Sequence, residues 1–393
     1  GIHSGNAEWN GEDYMGYITL ARVSRVMSAA NGEQIIVSES TYELVNGLVS
    51  DRISFRHLGE RRLKDVIQPI KLYQIISPGL REDFPPLKTL DSRPNNLPVQ
   101  LTDFIGCEES IKSVKELLNQ TRLLTLLGSG GVGKTRLAMQ VGAEMIDDFA
   151  NGVFIAELAP VTDPDFILQT LMNSFCMKDE RGKTAEVILT DHIKDKELLL
   201  ILDNCEHMIK ECASTVEMLL SNCAKLKIIT TSRELLNCSG EKIYKVPSLS
   251  LPDLSVNNTP MQLSQYESVR LFIERAIAVN RDFRLNNENA QSLAEICSRL
   301  DGIPLAIELA AARIKVLTVE KICERLVNRF SLLTGGKRTA LPRQQTLKAM
   351  IDWSYDLLSE KEKILWRRLS VFNGGWTLES AEEICSDDKI KRE

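Results

Sequence analysis

The chain has 393 residues, of which 43% are hydrophobic, 26% charged and 6% aromatic, a composition that predicts two or three compact units and excludes wholesale disorder or a collagen-like chain. Its 48 Lys and Arg against 54 Asp and Glu leave a net charge of -6, so no strong field draws it to a nucleic-acid backbone or an anionic lipid surface. The longest strongly apolar stretch, Leu198 to Leu202, falls far short of the ~20 residues of a membrane helix.

The chain opens at Gly1 without a basic segment followed by an apolar one, and Gly1 to Gly5 reads as part of a strand and turn. A fragment of a longer protein with no secretion signal is expected. Nine scattered cysteines without a C-x-x-C pair fit neither a disulfide framework nor a zinc knuckle, which points to a reducing cytoplasm. His3, His57, His192 and His207 show no metal-ligand spacing.

Five of the thirteen prolines (Pro78, Pro85, Pro86, Pro94 and Pro98) fall between Ser77 and Leu101, where neither a helix nor a central strand can continue. The first segment therefore covers 1–76, and 77–100 reads as a Pro-rich linker. From 101 to 250, five apolar runs alternate with amphipathic stretches of helix length: Arg122–Leu127, Val153–Leu158, Leu198–Leu202, Lys227–Thr231 and Lys242–Val246. That alternation predicts an α/β fold with a parallel sheet flanked by helices. A break follows at Pro247–Gln265. The period then becomes helical, with Val269, Phe272, Ile273 and Ala276 on one face and Leu293, Ile296, Cys297 and Leu300 on another, so 251–335 is expected to be a helical domain. A last segment, 336–393, follows the break at Gly335–Arg343; it opens with a helix near Gln344–Leu357 and continues with a second one capped by Ser359 and Glu362.

The chemical signal lies after the first apolar run. Gly128, Ser129, Gly130, Gly131, Val132, Gly133, Lys134 and Thr135 match the pattern of a phosphate-binding loop placed between a strand and a helix. Backbone N–H groups can wrap phosphate oxygens only where no Cβ intrudes, and the helix N-terminus adds positive potential. Lys134 is expected on the β/γ-phosphates and the Thr135 hydroxyl on Mg²⁺. Asp203, at the end of the run Leu198–Leu202, supplies the carboxylate for the metal at the sheet edge, and Glu206 stands where it could orient an attacking water. Arg233 follows Lys227–Thr231 and is expected beside the γ-phosphate, where it would neutralise charge developing in transfer. Gly302 and Pro304 suit a turn between two helices, as a C′ residue and a first-turn residue respectively.

Taken in order, Gly128–Thr135, Leu198–Asp203, Thr231 to Arg233 and Gly302 to Ala306 resemble the nucleotide-binding core of the STAND signalling ATPases, the NB-ARC-like class. Phe104 to Gly106, Asp203 to His207, Arg343 to Thr346 and Ile351 to Asp356 are similar to bacterial regulators of the LuxR/AfsR-like type. The resemblance covers roughly Leu97 to Glu393. It implies ATP or ADP with Mg²⁺ as ligands, slow ATP hydrolysis, Phe104 and Ile105 bordering the adenine, Arg136 among the nucleotide contacts, Arg233 as a sensor arginine and Pro304 against the nucleotide. The final segment resembles the start of a winged-helix domain. Residues 1–76 resemble the C-terminal part of a class III nucleotide cyclase, through Asp13 to Gly16, Ala21 to Met27, Gly32 to Ser38 and Leu58 to Lys64. There Asp13 would read the purine and Arg25 would stabilise the transferring phosphoryl group. Ala21 stands where relatives place an asparagine, and the metal-binding aspartates belong to the half that is missing here, so a degenerate sensory or dimerisation module without cyclase activity is expected.

The resemblance thus implies a switch in which nucleotide state controls domain arrangement. Two alternatives stand beside it: a nucleotide cyclase fused to a regulatory ATPase, and a DNA-binding transcription regulator whose output domain lies outside this chain. The partners implied are nucleotide and either a second copy or another signalling protein, with no membrane, and with nucleic acid only through a domain absent from this chain.

Overall fold

The computed structural model describes residues 1–5, 8–9, 14–15, 17–50, 52–63, 69–98, 100, 102, 104–255, 258–326, 355, 358–372 and 376–387. The chain divides into two units, Gly1–Gly128 with Lys134–Val246, and Ser129–Gly133 with Pro247–Glu393.

The first unit begins with two short paired strands, β1 (Glu8–Trp9) and β2 (Tyr14–Met15), followed by α1 (Tyr17–Ala29). Next come β3 (Ile36–Ser38), α2 (Glu39–Val45), β4 (Ser54–Arg61) and β5 (Ile70–Ile76), and the three strands form an antiparallel sheet in the order β3-β5-β4. Val26 and Ala29 of α1 pack on Ile36 and Leu72 of this sheet together with Leu63.

The Pro-rich run is held on both sides. Leu87 is buried with the N-terminal core, and the Lys88 N–H donates to the Ala29 carbonyl at 3.0 Å. Further on, Asn96 pairs with one residue of the next sheet as a strand would: its Nδ2 donates to the Ile155 carbonyl at 2.8 Å and its Oδ1 accepts from the Ile155 N–H at 2.7 Å. A side-chain amide presents an N–H donor beside a carbonyl acceptor, so it can pair with the open edge of a sheet as a strand residue would.

That second sheet comprises β6 (Leu123–Leu127), β7 (Val153–Glu157), β8 (Leu199–Asp203), β9 (Lys227–Ser232) and β10 (Glu241–Lys245), in the order β10-β6-β9-β8-β7 with every pair parallel. All five expected strands are present, and the fold is mixed α/β. Helix α3 (Glu108–Gln120) precedes β6, α4 (Lys134–Glu144) lies between β6 and β7, α5 (Ile167–Ser174) and α6 (Ala185–Ile193) between β7 and β8, and α7 (Ile209–Asn222) between β8 and β9. A parallel sheet covered on both faces requires strands that are apolar throughout, and Leu199 to Leu202 are fully buried. The hydroxyls in these strands are paired inside: Thr125 and Thr230 share a hydrogen bond of 2.7 Å, and Thr125 donates to Glu241 at 2.5 Å.

In the second unit, α8 (Pro260–Leu263), α9 (Glu267–Val279), α10 (Ala290–Arg299), α11 (Pro304–Ala311) and α12 (Val319–Arg325) follow one another, with α13 (Glu360–Leu369) and α14 (Leu378–Cys385) further on. The expected faces are the buried ones: Val269, Phe272 and Ala276 on α9, and Leu293, Ile296 and Cys297 on α10. Gly302 has φ +65° and Pro304 stands in the first turn of α11, as the turn chemistry predicts. The Ser359–Glu362 capping box opens α13. The expected helix near Gln344–Leu357, apart from Tyr355, and residues Arg343 to Thr346 lie outside the described residues, as does Asp13.

Gly152 marks where the Pro-rich run meets the sheet. Its φ is +94°, and a Cβ built there would lie 1.8 Å from the Pro94 carbonyl oxygen, which itself accepts from the Val153 N–H at 3.1 Å. Gly79 has a similar φ of +90° with open space around it. Gly79→Ala is therefore expected to cost only left-handed backbone strain, about 1 kcal/mol, and Gly152→Ala at least ~2 kcal/mol more because backbone must move. Urea denaturation of both variants checks this; equal losses would show that the run does not pack against β7 as described.

Candidate functional site

The strand order brings three carboxyl ends together. β6 lies beside β9 and β9 beside β8, although two other strands separate β6 from β9 in sequence. The chain leaves β6 toward β7 at one edge and leaves β9 toward β10 at the other, so adjacent strands send their connections in opposite directions, and ligands of open α/β sheets bind at such a point. Gly128 follows β6, Asp203 closes β8 and Arg233 follows β9.

The loop Gly128–Gly133 owes its path to Gly131 (φ +77°) and Gly133 (φ +104°), conformations that a Cβ would strain. The helix α4 begins at Lys134, directly after the loop. Lys134 is only 6% exposed, and its Nζ donates to the Gly128 carbonyl at 2.8 Å. Within the second unit, the loop meets the start of α11: the Leu305 N–H donates to the Gly131 carbonyl at 3.2 Å, and the Pro304 ring lies 3.9 Å from where a Gly133 Cβ would stand.

Asp203 is 4% exposed. One of its oxygens, Oδ1, accepts from the Thr135 hydroxyl and from the Thr231 hydroxyl, each at 2.6 Å. Burial raises its pKa above the ordinary carboxylate range; the two hydroxyls oppose that rise, and the neighbouring Glu206 and Glu157 carboxylates add to it. Thr231 also accepts from the Asn204 N–H at 2.9 Å, so its single hydroxyl ties β9 to both residues at the end of β8. Asn204 itself is left-handed, with φ 66°, a conformation that asparagine tolerates better than most residues. It turns the chain into a 3₁₀ turn, Cys205–His207. There Glu206, with its side chain 2% exposed, lies 3.3 Å from the Arg233 Nε, and Asn204 Nδ2 donates to the same carboxylate oxygen at 3.2 Å.

Lys134, Thr135 and Asp203 are thus gathered at the strand ends, with Arg233 turned to Glu206. Phe104 and Ile105 precede α3, in the segment just after Thr102. Arg136 reaches that segment from α4: its two terminal nitrogens donate to the Thr102 hydroxyl at 3.0 Å and to the Thr102 carbonyl at 2.7 Å, and its guanidinium lies 5.7 Å from the Phe104 ring centre. A cavity of about 440 Å³ opens against α3, with Arg25, Phe104, Lys112 and Gln140 in its lining and no residue of the loop Gly128–Thr135. Thr231 and Asn204 were not among the site residues expected from the sequence. A hydroxyl pair in an otherwise apolar strand, and an asparagine directly after the strand, were the available signals.

A glycine loop between β6 and α4, a buried lysine and threonine opening that helix, and a carboxylate on a nearby parallel strand define a P-loop nucleotide-binding fold. The chain is 39% identical over 289 residues to the uncharacterized protein Rv0894 of Mycobacterium tuberculosis, across 74% of this chain and 70% of that protein, and it belongs to that family. It is 42% identical over 277 residues to the putative HTH-type transcriptional regulator Rv0890c of the same species, of which it spans only 30%. No protein-family model matches the chain. Two solved structures are similar in part: a STAND protein with a tetratricopeptide repeat sensor from Pyrococcus horikoshii (16% identity, TM-score 0.35, 71% of this chain and 36% of that one) and a Walker-type ATPase of Pyrococcus abyssi (14%, 0.45, 75% and 86%). Among the described residues, no helix is long and apolar enough to cross a membrane.

Because the folded-state pKa of Asp203 is raised, folding favours the protonated carboxyl, and the ionised form weakens the ligand-free protein at neutral pH. Asp203→Asn keeps an acceptor for both hydroxyls and removes the charge. Thermal melts of the ligand-free protein are expected to show the variant more stable at pH 7, with the gain shrinking as pH falls toward the ordinary carboxylate range. A gain that is absent at pH 7 or grows on acidification would contradict the assignment.

Proposed function

We propose that the chain is an ATP-binding signal-transduction ATPase of the STAND kind, in which ATP or ADP with Mg²⁺ sets the arrangement of an α/β domain (101–250) and a helical domain (251–335). The observation that carries this reading is the Thr135–Asp203 hydrogen bond of 2.6 Å at the foot of the phosphate loop. It joins a hydroxyl and a carboxylate, the hard oxygen donors that suit Mg²⁺. The rest of the site fits a nucleotide as well: the loop glycines leave its backbone bare, and the buried Lys134 ammonium rests on a carbonyl that a phosphate oxygen would outbid.

In this reading Lys134 holds the β/γ-phosphates, Thr135 and Asp203 hold the metal, and Mg²⁺ supplies charge neutralisation across the phosphates. Gly128, Ser129, Gly130, Gly131, Val132 and Gly133 wrap the phosphates with their N–H groups. Phe104 and Ile105 border the adenine, and Arg136 acts through Thr102 to hold their segment in place. Pro304, packed on the loop, lets the helical domain respond to what the loop binds, and Arg233 reports the γ-phosphate. Hydrolysis is slow, as a switch requires. Residues 1–76 serve as a sensory or dimerisation module, 77–100 as a connector, and 336–393 as the start of a winged helix. A second reading, a transcription regulator, is favoured by the name of the 42% identical relative; it places DNA contacts in a part of the protein outside this chain.

Lys134→Ala is expected to weaken ATP·Mg²⁺ binding about 100-fold or more, since it removes a buried charge-assisted contact, while circular dichroism stays unchanged. Calorimetry giving the same affinity in the folded variant would sink the proposal. ATP analogue and ADP should also give different protease-cleavage patterns across Pro247–Gln265 and Gly335–Arg343, and Arg233→Ala should erase the difference with ADP binding retained. Identical patterns in the saturated unmodified protein would make this a static nucleotide site.

A further inference from the structure

Lys134, Thr135 and Asp203 account for phosphate and metal, and leave one buried carboxylate at the strand ends unused. The Glu206 side chain is 2% exposed. Its Oε1 faces the Arg233 Nε at 3.3 Å and the Asn204 Nδ2 at 3.2 Å, whereas its Oε2 is buried without a hydrogen-bond partner. A buried acceptor with no protein partner is costly for a folded protein to hold, so it calls for an explanation. The residue directly after Asp203 is an amide, Asn204, which cannot take up a proton. Its left-handed turn delivers Glu206, three residues beyond Asp203, back to the strand ends, where the Glu206 charge is felt at Asp203. Arg233 is the more exposed member of the pair, at 18%, and so has the freer path to a new partner.

We propose that Arg233 and Glu206 form a latch: without a γ-phosphate each neutralises the other, and a γ-phosphate takes over Arg233 and frees Glu206 to serve as the base for the attacking water. This rests on the chain binding ATP. The two roles are exclusive because one arginine cannot hold both anions in the same geometry. In the step itself, the water oxygen bonds to the γ-phosphorus as the bond from that phosphorus to the β–γ bridging oxygen breaks, and its electron pair leaves with ADP. One water proton passes to Glu206 Oε2 and then to solvent, and the other stays on the released phosphate.

The latch makes a prediction that a structural role would not. Breaking the pair should help the triphosphate and not the diphosphate, because only the former competes for Arg233. In the full 393-residue chain, Glu206→Gln is expected to bind AMPPNP·Mg²⁺ about 5- to 100-fold more tightly by calorimetry, to bind ADP unchanged, and to lose single-turnover phosphate release by about 10²- to 10⁴-fold. In an Arg233→Ala background, adding Glu206→Gln should leave AMPPNP affinity unmoved. Should the amide fail to fold, Glu206→Asp, one methylene shorter, loosens the same pair and is expected to tighten AMPPNP likewise. Unchanged AMPPNP affinity in the folded single variant, a gain that persists without Arg233, or retained hydrolysis overturns the latch alone. An unmodified chain that binds neither nucleotide overturns the ATP reading and the latch together.

Discussion

The hydrogen bonds that converge on Asp203 Oδ1 tie the end of β8 to β9 and to the start of α4. A carboxylate buried at the end of a strand is unfavourable by itself, since desolvation penalises its charge. Two hydroxyls at 2.6 Å offset part of that penalty, and each makes its own demand on the chain. Thr231 must lie on the strand next to β8, which requires β9 to enter the sheet between β8 and β6. Thr135 must stand in the first turn of α4, which requires the loop after β6 to be of one length and to pass through positive φ at Gly131 and Gly133. Strand order, loop length and helix start are therefore linked through one oxygen atom.

Much of this was legible in the sequence because the responsible signals are local. Each of the five strands shows as a short apolar run, and the phosphate loop follows the first of them with its glycines in place. Boundaries shifted by only a residue: Asp203 ends β8 where the run had stopped at Leu202, and β10 begins at Glu241 where the run began at Lys242. The helical faces of α9 and α10 followed from spacing alone, because one buried stripe fixes which residues turn inward.

What escaped the sequence is long-range or depends on a single unusual dihedral. Nothing local ties Thr231 to Asp203, which are 28 positions apart and meet only through strand adjacency. The Glu206–Arg233 pair needs the left-handed Asn204 as well as that adjacency, and one residue in αL reverses the chain direction that periodicity would extrapolate. The Pro-rich run shows the other limit. Its prolines exclude helix and central strand, yet proline content cannot say that Asn96 would complete the edge of β7 with its side-chain amide, or that Leu87 would join the core under α1. Nor does anything local in the sequence show that Arg136, expected among the nucleotide contacts, would also donate to Thr102 beside Phe104.

In the proposed ATP reading, the charges at the strand ends set how the site would respond to a nucleotide. Lys134 and Arg233 oppose Asp203 and Glu206 at the strand ends, with the lysine on a carbonyl and the arginine on a carboxylate. A nucleoside triphosphate with one divalent cation brings a net charge of about -2. Such an anion would compete with the present partners of these cations, most strongly where they are buried. A carbonyl gives up a lysine readily because it carries no net charge. A buried carboxylate that gives up its arginine is left with a charge that no longer has its partner. The asymmetry between these two exchanges follows from which group each cation rests on, and in the proposed reading it would make the β9 end, not the loop lysine, the place where a third phosphate has a chemical consequence.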